Sequence, residues 1–428
     1  MKFHLLHPRE QLVVTLQRIY DYGMTTTSGG NLSIMDDNGD IWITPTGVDK
    51  GSLRPEDIVL VKPDNSYEGL HKPSSEYPFH RAIYAGRPDI KSIVHAHPSA
   101  LVSFSIVRQI PDTKVIAQAN HVCGAVGYAD YELPGSEALG DNIAKSFAEG
   151  YNVVLMENHG TVVGGKDLAD AFQKFETLEF CARSIMEATA VGKPKTLTNA
   201  QLSVFENPRK VLDEFVHSEY SNRELELRAE ICKIIHRAYR QRLIISTYGT
   251  LSTRLTGNDF LITPYGKDRY YLDRDEIVLI KNGKRESGKH PSRSVHLHKN
   301  IYQNHPDINC IFIAQSPFAI TYAITGQAFD TRTIPESYIL LRDVPLIPYG
   351  DQYETGDLIT NTLNAKTPIV LIENDSILAT GQNILQAFDR LEVAEFSARS
   401  LTQSALLGKM VPIKEKEIDD LKRKFLSE

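Results

Sequence analysis

The sequence predicts an α/β protein made of two tandem copies of one domain, and two observations carry that reading. Short apolar, β-branched runs alternate with stretches whose apolar residues recur at helical spacing. The first half also returns in the second at an offset of 216 to 219 residues. Ile43-Thr44-Pro45-Thr46-Gly47 reappears as Ile262-Thr263-Pro264-Tyr265-Gly266, and Asp57-Ile58-Val59-Leu60 as Glu276-Ile277-Val278-Leu279. Ala171-Phe172 and Ala182-Arg183-Ser184 return as Ala387-Phe388 and Ala398-Arg399-Ser400. One offset shared by so many positions marks a duplication. The 428 residues suit one domain per copy, placed at 1–215 and 216–428 with the join near 208–223.

The elements of the first copy follow in order. Leu12, Val13, Leu16, Ile19 and Tyr20 predict a helix over residues 8–22, ended by Gly23. Thr27-Ser28-Gly29-Gly30-Asn31 then reads as a tight turn. Its backbone N–H groups are able to approach an anion, or it is a plain β-turn before a strand. Asp40-Ile41-Trp42-Ile43-Thr44 reads as a strand, Pro45-Thr46-Gly47 as a second small-residue turn, and residues 58–62 as another strand. Ser74 and Ser75 are natural caps for the helix that follows. Hydroxyls at a helix N-terminus suit a phosphate as well as a cap. Glu76 falls in the first turn of that helix, and His80 shares its face at i, i+4.

Ile93-Val94-His95-Ala96-His97-Pro98 is a strand stopped by proline. Side chains two apart on a strand share a face, so His95 and His97 present two imidazoles together. Residues 101–106 read as a helix or a buried strand, and a helix is predicted from Ser136 to about Glu149. Val153-Val154-Leu155-Met156 is a buried strand that delivers His159, with Gly160 leaving room beside it. A long amphipathic helix over 167–191 closes the copy.

Bulk properties narrow the function. A net charge of −7 and a pI near 6.1 leave no basic footprint for nucleic acid. The four cysteines show no C-x-x-C spacing, which argues against disulfides and thiolate metal sites and suits a reducing cytoplasm. No apolar run is long enough to span a membrane, and residues 1–11 lack the apolar core of a signal peptide.

His95, His97 and His159 supply three imidazoles from two strand ends, and Glu76 adds a carboxylate. Three nitrogen ligands and one oxygen ligand match a catalytic zinc site, although other divalent metals accept the same set. Upstream stand three turns friendly to anions: Gly30-Asn31, Thr46-Gly47 and Ser74-Ser75. Together with Gly30-Asn31-Leu32-Ser33, Pro73-Ser74-Ser75-Glu76 and Asn158-His159-Gly160, these motifs resemble the class II aldolase/adducin family. The resemblance implies a three-layer α/β/α fold around a mainly antiparallel sheet. It implies zinc on His95, His97, His159 and Glu76, with Glu76 also moving the proton and the substrate phosphate resting on the three turns. It further implies cleavage of a ketose 1-phosphate to dihydroxyacetone phosphate and an aldehyde through a metal-stabilised enediolate. Tyr220 is the loose match to a tyrosine that closes such sites from a neighbouring subunit. Sugar-phosphate epimerisation or dehydration within the family, or an adducin-like assembly role without catalysis, are the alternatives.

The second copy lacks the ligands. Ser294 stands at the place of Glu76, Ile313 and Gln315 at those of His95 and His97, and Asp375 at that of His159. His298 keeps the place of His80 without a metal site, which favours a structural role for His80. A non-catalytic second copy is therefore expected, with the tandem replacing two neighbouring subunits of a fourfold ring. The expected assembly is a homodimer of tandem chains with pseudo-fourfold symmetry.

Overall fold

The computed structural model describes residues 2–208 and 210–426. It holds two compact units. The first comprises the chain up to Thr113 together with Ala119–Arg183, and the second comprises Lys114–Gln118 together with Ser184 onward. Each unit is α/β and built on one mixed, mainly antiparallel sheet.

In the first unit the strands are β1 (Asn31–Met35), β2 (Ile41–Ile43), β3 (Val59–Val61), β4 (Tyr67–Glu68), β5 (Ser92–Ala96), β6 (Gly127–Ala129), β7 (Val153–Met156) and β8 (Thr161–Gly165). They lie in the order β4-β3-β2-β1-β5-β8-β7-β6, antiparallel except for β6 against β7. Period-two alternation sends successive side chains to opposite faces. Val94, Val153, Leu155 and Val163 enter one core with Leu12, Leu16 and Phe175 from the helices Pro8–Asp21 and Leu168–Ala188. Ile93, Val154, Met156 and Val162 enter the other with Phe79 and Ile83 from the helix Tyr77–Gly86 and Ile143 and Phe147 from Glu137–Ala148. Helices thus cover both faces in three layers. Each fully buried Val, Ile or Phe in these layers contributes about 1.5–3 kcal/mol. The ambiguous stretch after His97 is helical, Ser99–Ile106.

The second unit repeats the plan. Its strands are β9 (Glu214–Phe215), β10 (Thr250–Thr256), β11 (Asp259–Ile262), β12 (Val278–Lys281), β13 (Lys284–Glu286), β14 (Cys310–Ala314), β15 (Leu346–Ile347), β16 (Ile369–Ile372) and β17 (Ser376–Gly381). The order is β15-β16-β17-β14-β10-β11-β12-β13-β9. The central β1, β5 and β8 of the first sheet thus correspond to β10, β14 and β17.

The compact units divide at a different place from the two sequence copies. Residues 184–215, which the sequence reading gave to the first copy, group with the second unit. The physical reason is local bonding there. Lys195 N–H donates to the Ile324 carbonyl at 2.8 Å, and Phe205 packs edge-on against Tyr353.

Candidate metal centre

His95 lies on β5 and shares a face with Ile93, the face covered by the helix Tyr77–Gly86. The Phe79 ring of that helix meets His95 edge-on at 5.5 Å. His97 follows just beyond the strand end. His159 comes from the turn joining β7 to β8, where the Met156 N–H donates to the Gly160 carbonyl at 2.8 Å and Asn158 takes φ 52°. Asparagine tolerates that left-handed conformation better than most residues. Its counterpart Asn374 takes φ 53° in the second unit.

The ligand nitrogens of His95, His97 and His159 all fall within 4.8 Å of one another. His95 Nε2 and His97 Nε2 are 3.1 Å apart. Glu76 bridges the group, with Oε2 3.2 Å from His95 Nε2 and Oε1 3.4 Å from His159 Nε2. Tetrahedral zinc with bonds of about 2.0–2.1 Å would separate its ligand atoms by roughly 3.3–3.4 Å. The three spacings match that edge length. His95 Nδ1 donates to the Thr161 carbonyl at 2.9 Å, which fixes the tautomer and leaves Nε2 as a bare lone pair. Glu76 Oε1 is buried without a hydrogen-bond partner. These residues fit a divalent cation. Among the described residues no comparable group of three exists in the second unit.

Electrostatics agree. Burial, then the neighbouring His95 ring, pulls His97 down to about 3 and His159 down to about 4. Both are neutral ligands at pH 7. Burial pushes the Glu76 carboxyl up, but His95, His159 and the Asn31 amide outweigh it and hold it below the usual carboxylate range.

Glu76 is itself the N-cap of its helix, and no side chain caps that end. Ser74 and Ser75 do not cap the helix as the sequence predicted. Ser74 Oγ accepts from the Glu76 N–H at 3.3 Å instead, while the Glu76 side chain turns to the imidazoles. Pro78 at the second helical position has no N–H for a cap to satisfy.

The three turns are knit together in one place. Pro45 and Pro73 form an isolated bridge, and Ser74 N–H donates to the Thr44 carbonyl at 3.2 Å. Thr46 N–H donates to the Lys72 carbonyl at 3.2 Å. Gly30 takes φ +74°, and a Cβ there would lie 2.8 Å from the His95 carbonyl, so only glycine fits. Gly30 therefore lies against His95, and the turns at Thr46-Gly47 and Ser74-Ser75 are joined to each other.

Asn31 behaves differently from the phosphate donor expected of it. Its Nδ2 donates to Glu76 Oε2 at 2.7 Å, and its Oδ1 meets His80 Nε2 at 2.5 Å. His80 Nδ1 in turn meets Ser33 Oγ at 2.7 Å, and Ser33 Oγ meets Tyr84 Oη at 2.7 Å. A buried chain Tyr84–Ser33–His80–Asn31 thus positions Glu76. Ser252, His298 and Tyr302 repeat it with the same 2.7 Å contacts. That repetition was the available signal, and it makes His80 a supporting group.

Sequence reasoning also missed Lys50, which is 3 % exposed. Its N–H donates to the Thr27 carbonyl and its ammonium to the Pro45 carbonyl, so it ties the first turn to the second. An ammonium has three donors, which leaves two for an anion. Burial pulls its pKa down to about 8, against the opposing charge of Glu76. Arg269 holds the same place in the second copy.

Tyr220 is not in this group. In the second unit its hydroxyl donates to Glu286 Oε1 at 3.4 Å, and its ring faces the Arg228 guanidinium at 5.3 Å.

The model of the family described as Class II Aldolase and Adducin N-terminal domain matches residues 10–186 and again 229–402. The chain is similar to the 5-deoxy-D-ribulose 1-phosphate aldolase of Bacillus thuringiensis serovar kurstaki, 32% identical over 45% of this chain and 91% of that protein. It is similar to the L-fuculose phosphate aldolase of Methanocaldococcus jannaschii, 35% identical over 40% and 91%. The 3-oxo-tetronate 4-phosphate decarboxylase of Pectobacterium atrosepticum is 34% identical over 41% and 83%. With the family matched twice in sequence and the same fold built twice in space, this chain belongs to the class II aldolase and adducin N-terminal domain family, as a tandem of two copies.

Proposed function

We propose that the first copy is a metal-dependent lyase that cleaves a ketose 1-phosphate of the L-fuculose 1-phosphate kind to dihydroxyacetone phosphate and an aldehyde. The observation that carries this reading is the spacing of three imidazole nitrogens and the two Glu76 oxygens at 3.1, 3.2 and 3.4 Å beside interlocked turns. His95, His97 and His159 would hold the cation, zinc by the chemistry of the set, with Glu76 as fourth ligand. When bound, that cation supplies a Lewis acid for the negative charge that cleavage leaves on the substrate oxygens.

The chain's own residues do the rest. Gly30, Thr46, Gly47, Ser74 and Ser75 receive the phosphate, with Lys50 behind them as a cation. Asn31 keeps the Glu76 carboxylate oriented. Glu76 takes the hydroxyl proton as the carbon–carbon bond breaks, then returns it to the carbon of the enediol that becomes dihydroxyacetone phosphate. No lysine Schiff base is needed.

A second reading, decarboxylation of a 3-oxo acid phosphate, is favoured by the 34% identical relative of that activity. It needs the same metal and phosphate sites, because loss of carbon dioxide leaves the same kind of enediolate. The assembly proposed with either reading is a homodimer of tandem chains, tested by a light-scattering mass of twice 48.0 kDa.

The test is a metal analysis followed by two product assays on the loaded protein. We expect one equivalent of divalent metal per chain and release of dihydroxyacetone phosphate from L-fuculose 1-phosphate. Carbon dioxide from 3-oxo-tetronate 4-phosphate, with no cleavage, would replace the first reading by the second. Metal-free protein that stays inert after zinc is added would remove both.

A further inference from the structure

We infer that the second copy keeps its emptied site as a metal-free receptor for a small phosphorylated sugar. This does not rest on the activity proposed for the first copy. The second unit holds a small cavity of about 90 Å³ at the place of the first copy's site. Gly249, Thr250, Gly266, Ser292, Gln315 and Asp375 line it, and each stands at the place of a first-copy site residue.

The phosphate end is intact. Pro264 bridges Pro291 as Pro45 bridges Pro73, and Ser292 N–H donates to the Thr263 carbonyl at 3.0 Å. Gly266 keeps φ +67° with open space around it. Arg269, 2 % exposed, donates to the carbonyls of Gly249, Lys267 and Pro264 at 2.7, 2.9 and 3.0 Å. Its guanidinium is held by backbone carbonyls, with the carboxylates of Asp268 and Glu276 acting on it through space, so a positive charge lies under the turns. The third turn has also exchanged the hydroxyl of Ser75 for the guanidinium of Arg293, a group whose fork matches phosphate oxygens. Arg293 lines the cavity and lies 4.2 Å over the Phe205 ring.

The former metal end has become a hydrogen-bonding end. Gln315, 4 % exposed, donates from Nε2 to the Asp375 carbonyl at 3.0 Å, while its Oε1 is buried with no partner. A buried acceptor left without a donor is destabilising. A ligand hydroxyl would satisfy it. The aromatic rings of Phe205, Tyr248 and Tyr265 wall the space between the ends, a surface suited to the apolar face of a sugar. Two ends with these chemistries select a phosphomonoester that carries hydroxyl groups, and Ile313 at the place of His95 excludes a metal there.

The test is calorimetric titration of the full chain, treated with EDTA, with glycerol 3-phosphate and separately with inorganic phosphate. Three proteins are compared: wild type, Ser294→Phe, which fills the cavity, and Arg293→Met, which removes the half-buried cation. We expect Ser294→Phe to lose one glycerol 3-phosphate site per chain and Arg293→Met to weaken that site at least tenfold. Circular dichroism melts report folding, and Arg293→Met carries the test alone if Ser294→Phe fails to fold. No binding to wild type, or titrations unchanged in the variants, would overturn the inference. Equal affinity for inorganic phosphate would overturn the sugar end of it.

Discussion

Replacing Asn31 by threonine would copy into the first site the residue that the second copy carries. The second copy shows where that hydroxyl goes, because Thr250 Oγ1 bonds Ser292 Oγ at 2.6 Å. The variant hydroxyl would accordingly reach Ser74, and the 2.7 Å bond from Asn31 to Glu76 would be lost. A hydrogen bond to a charged group contributes about 1.5–3 kcal/mol. At about 1.4 kcal/mol per decade, that is roughly a 10- to 100-fold loss of metal affinity, the range typical for removing a group that orients a ligand. His80 Nε2 would also lose its acceptor and become a buried orphan like His298 Nε2, at a cost of about 1–3 kcal/mol in stability. Zinc affinity is read by competition with a chromophoric chelator. Stability is read by urea unfolding followed through Trp42, the only tryptophan, which lies on β2 of the first unit. Zinc affinity within twofold of wild type would refute the reasoning that Asn31 holds Glu76 for the metal.

Chelating the metal should move the Trp42 unfolding transition to lower urea, because a ligand at 100 times its Kd contributes about 2.7 kcal/mol; an unmoved transition would mean that no metal binds the first unit. Gly160→Ala would bring a Cβ to 2.6 Å from both the Ala96 carbonyl and His97 Cδ2, so metal content should fall below one per chain and thermal stability should drop, both measured on purified protein. Full metal content with an unchanged melt would contradict that packing. For Lys50, the folded pKa of about 8 lies below the ordinary 10.5, so the unfolded chain binds more protons between those values and stability rises with pH through that window. Relative to Lys50→Met, wild type should gain up to roughly 3 kcal/mol between pH 8 and 10.5 in denaturant melts, and a difference flat in pH would disprove the buried ammonium.

The convergence of His95, His97 and His159 was legible because strand geometry fixes it. A His-x-His pair at a strand end has one way to point, and the short turn after Met156 gives His159 little more freedom. The duplication then showed which positions the second copy had given up. What escaped reading depends on the rotation of buried polar side chains. Asn31 in a Gly-Gly-Asn turn is as able to face a phosphate as a carboxylate, and only its neighbours decide. Lys50 sits mid-loop with no periodicity to betray its burial, although a cation at the matching Arg269 was a usable hint. The helix Asn199–Glu206 carries too few apolar residues for its sequence to say which core it joins.

The paired Ser33–His80–Tyr84 and Ser252–His298–Tyr302 clusters have a practical consequence. One half of the polypeptide retains the buried cluster without the three histidines beside it, so each molecule carries its own comparison. A substitution made at matching positions in both halves separates what a side chain does for folding from what it does for turnover, with temperature, salt and preparation held identical by covalent linkage.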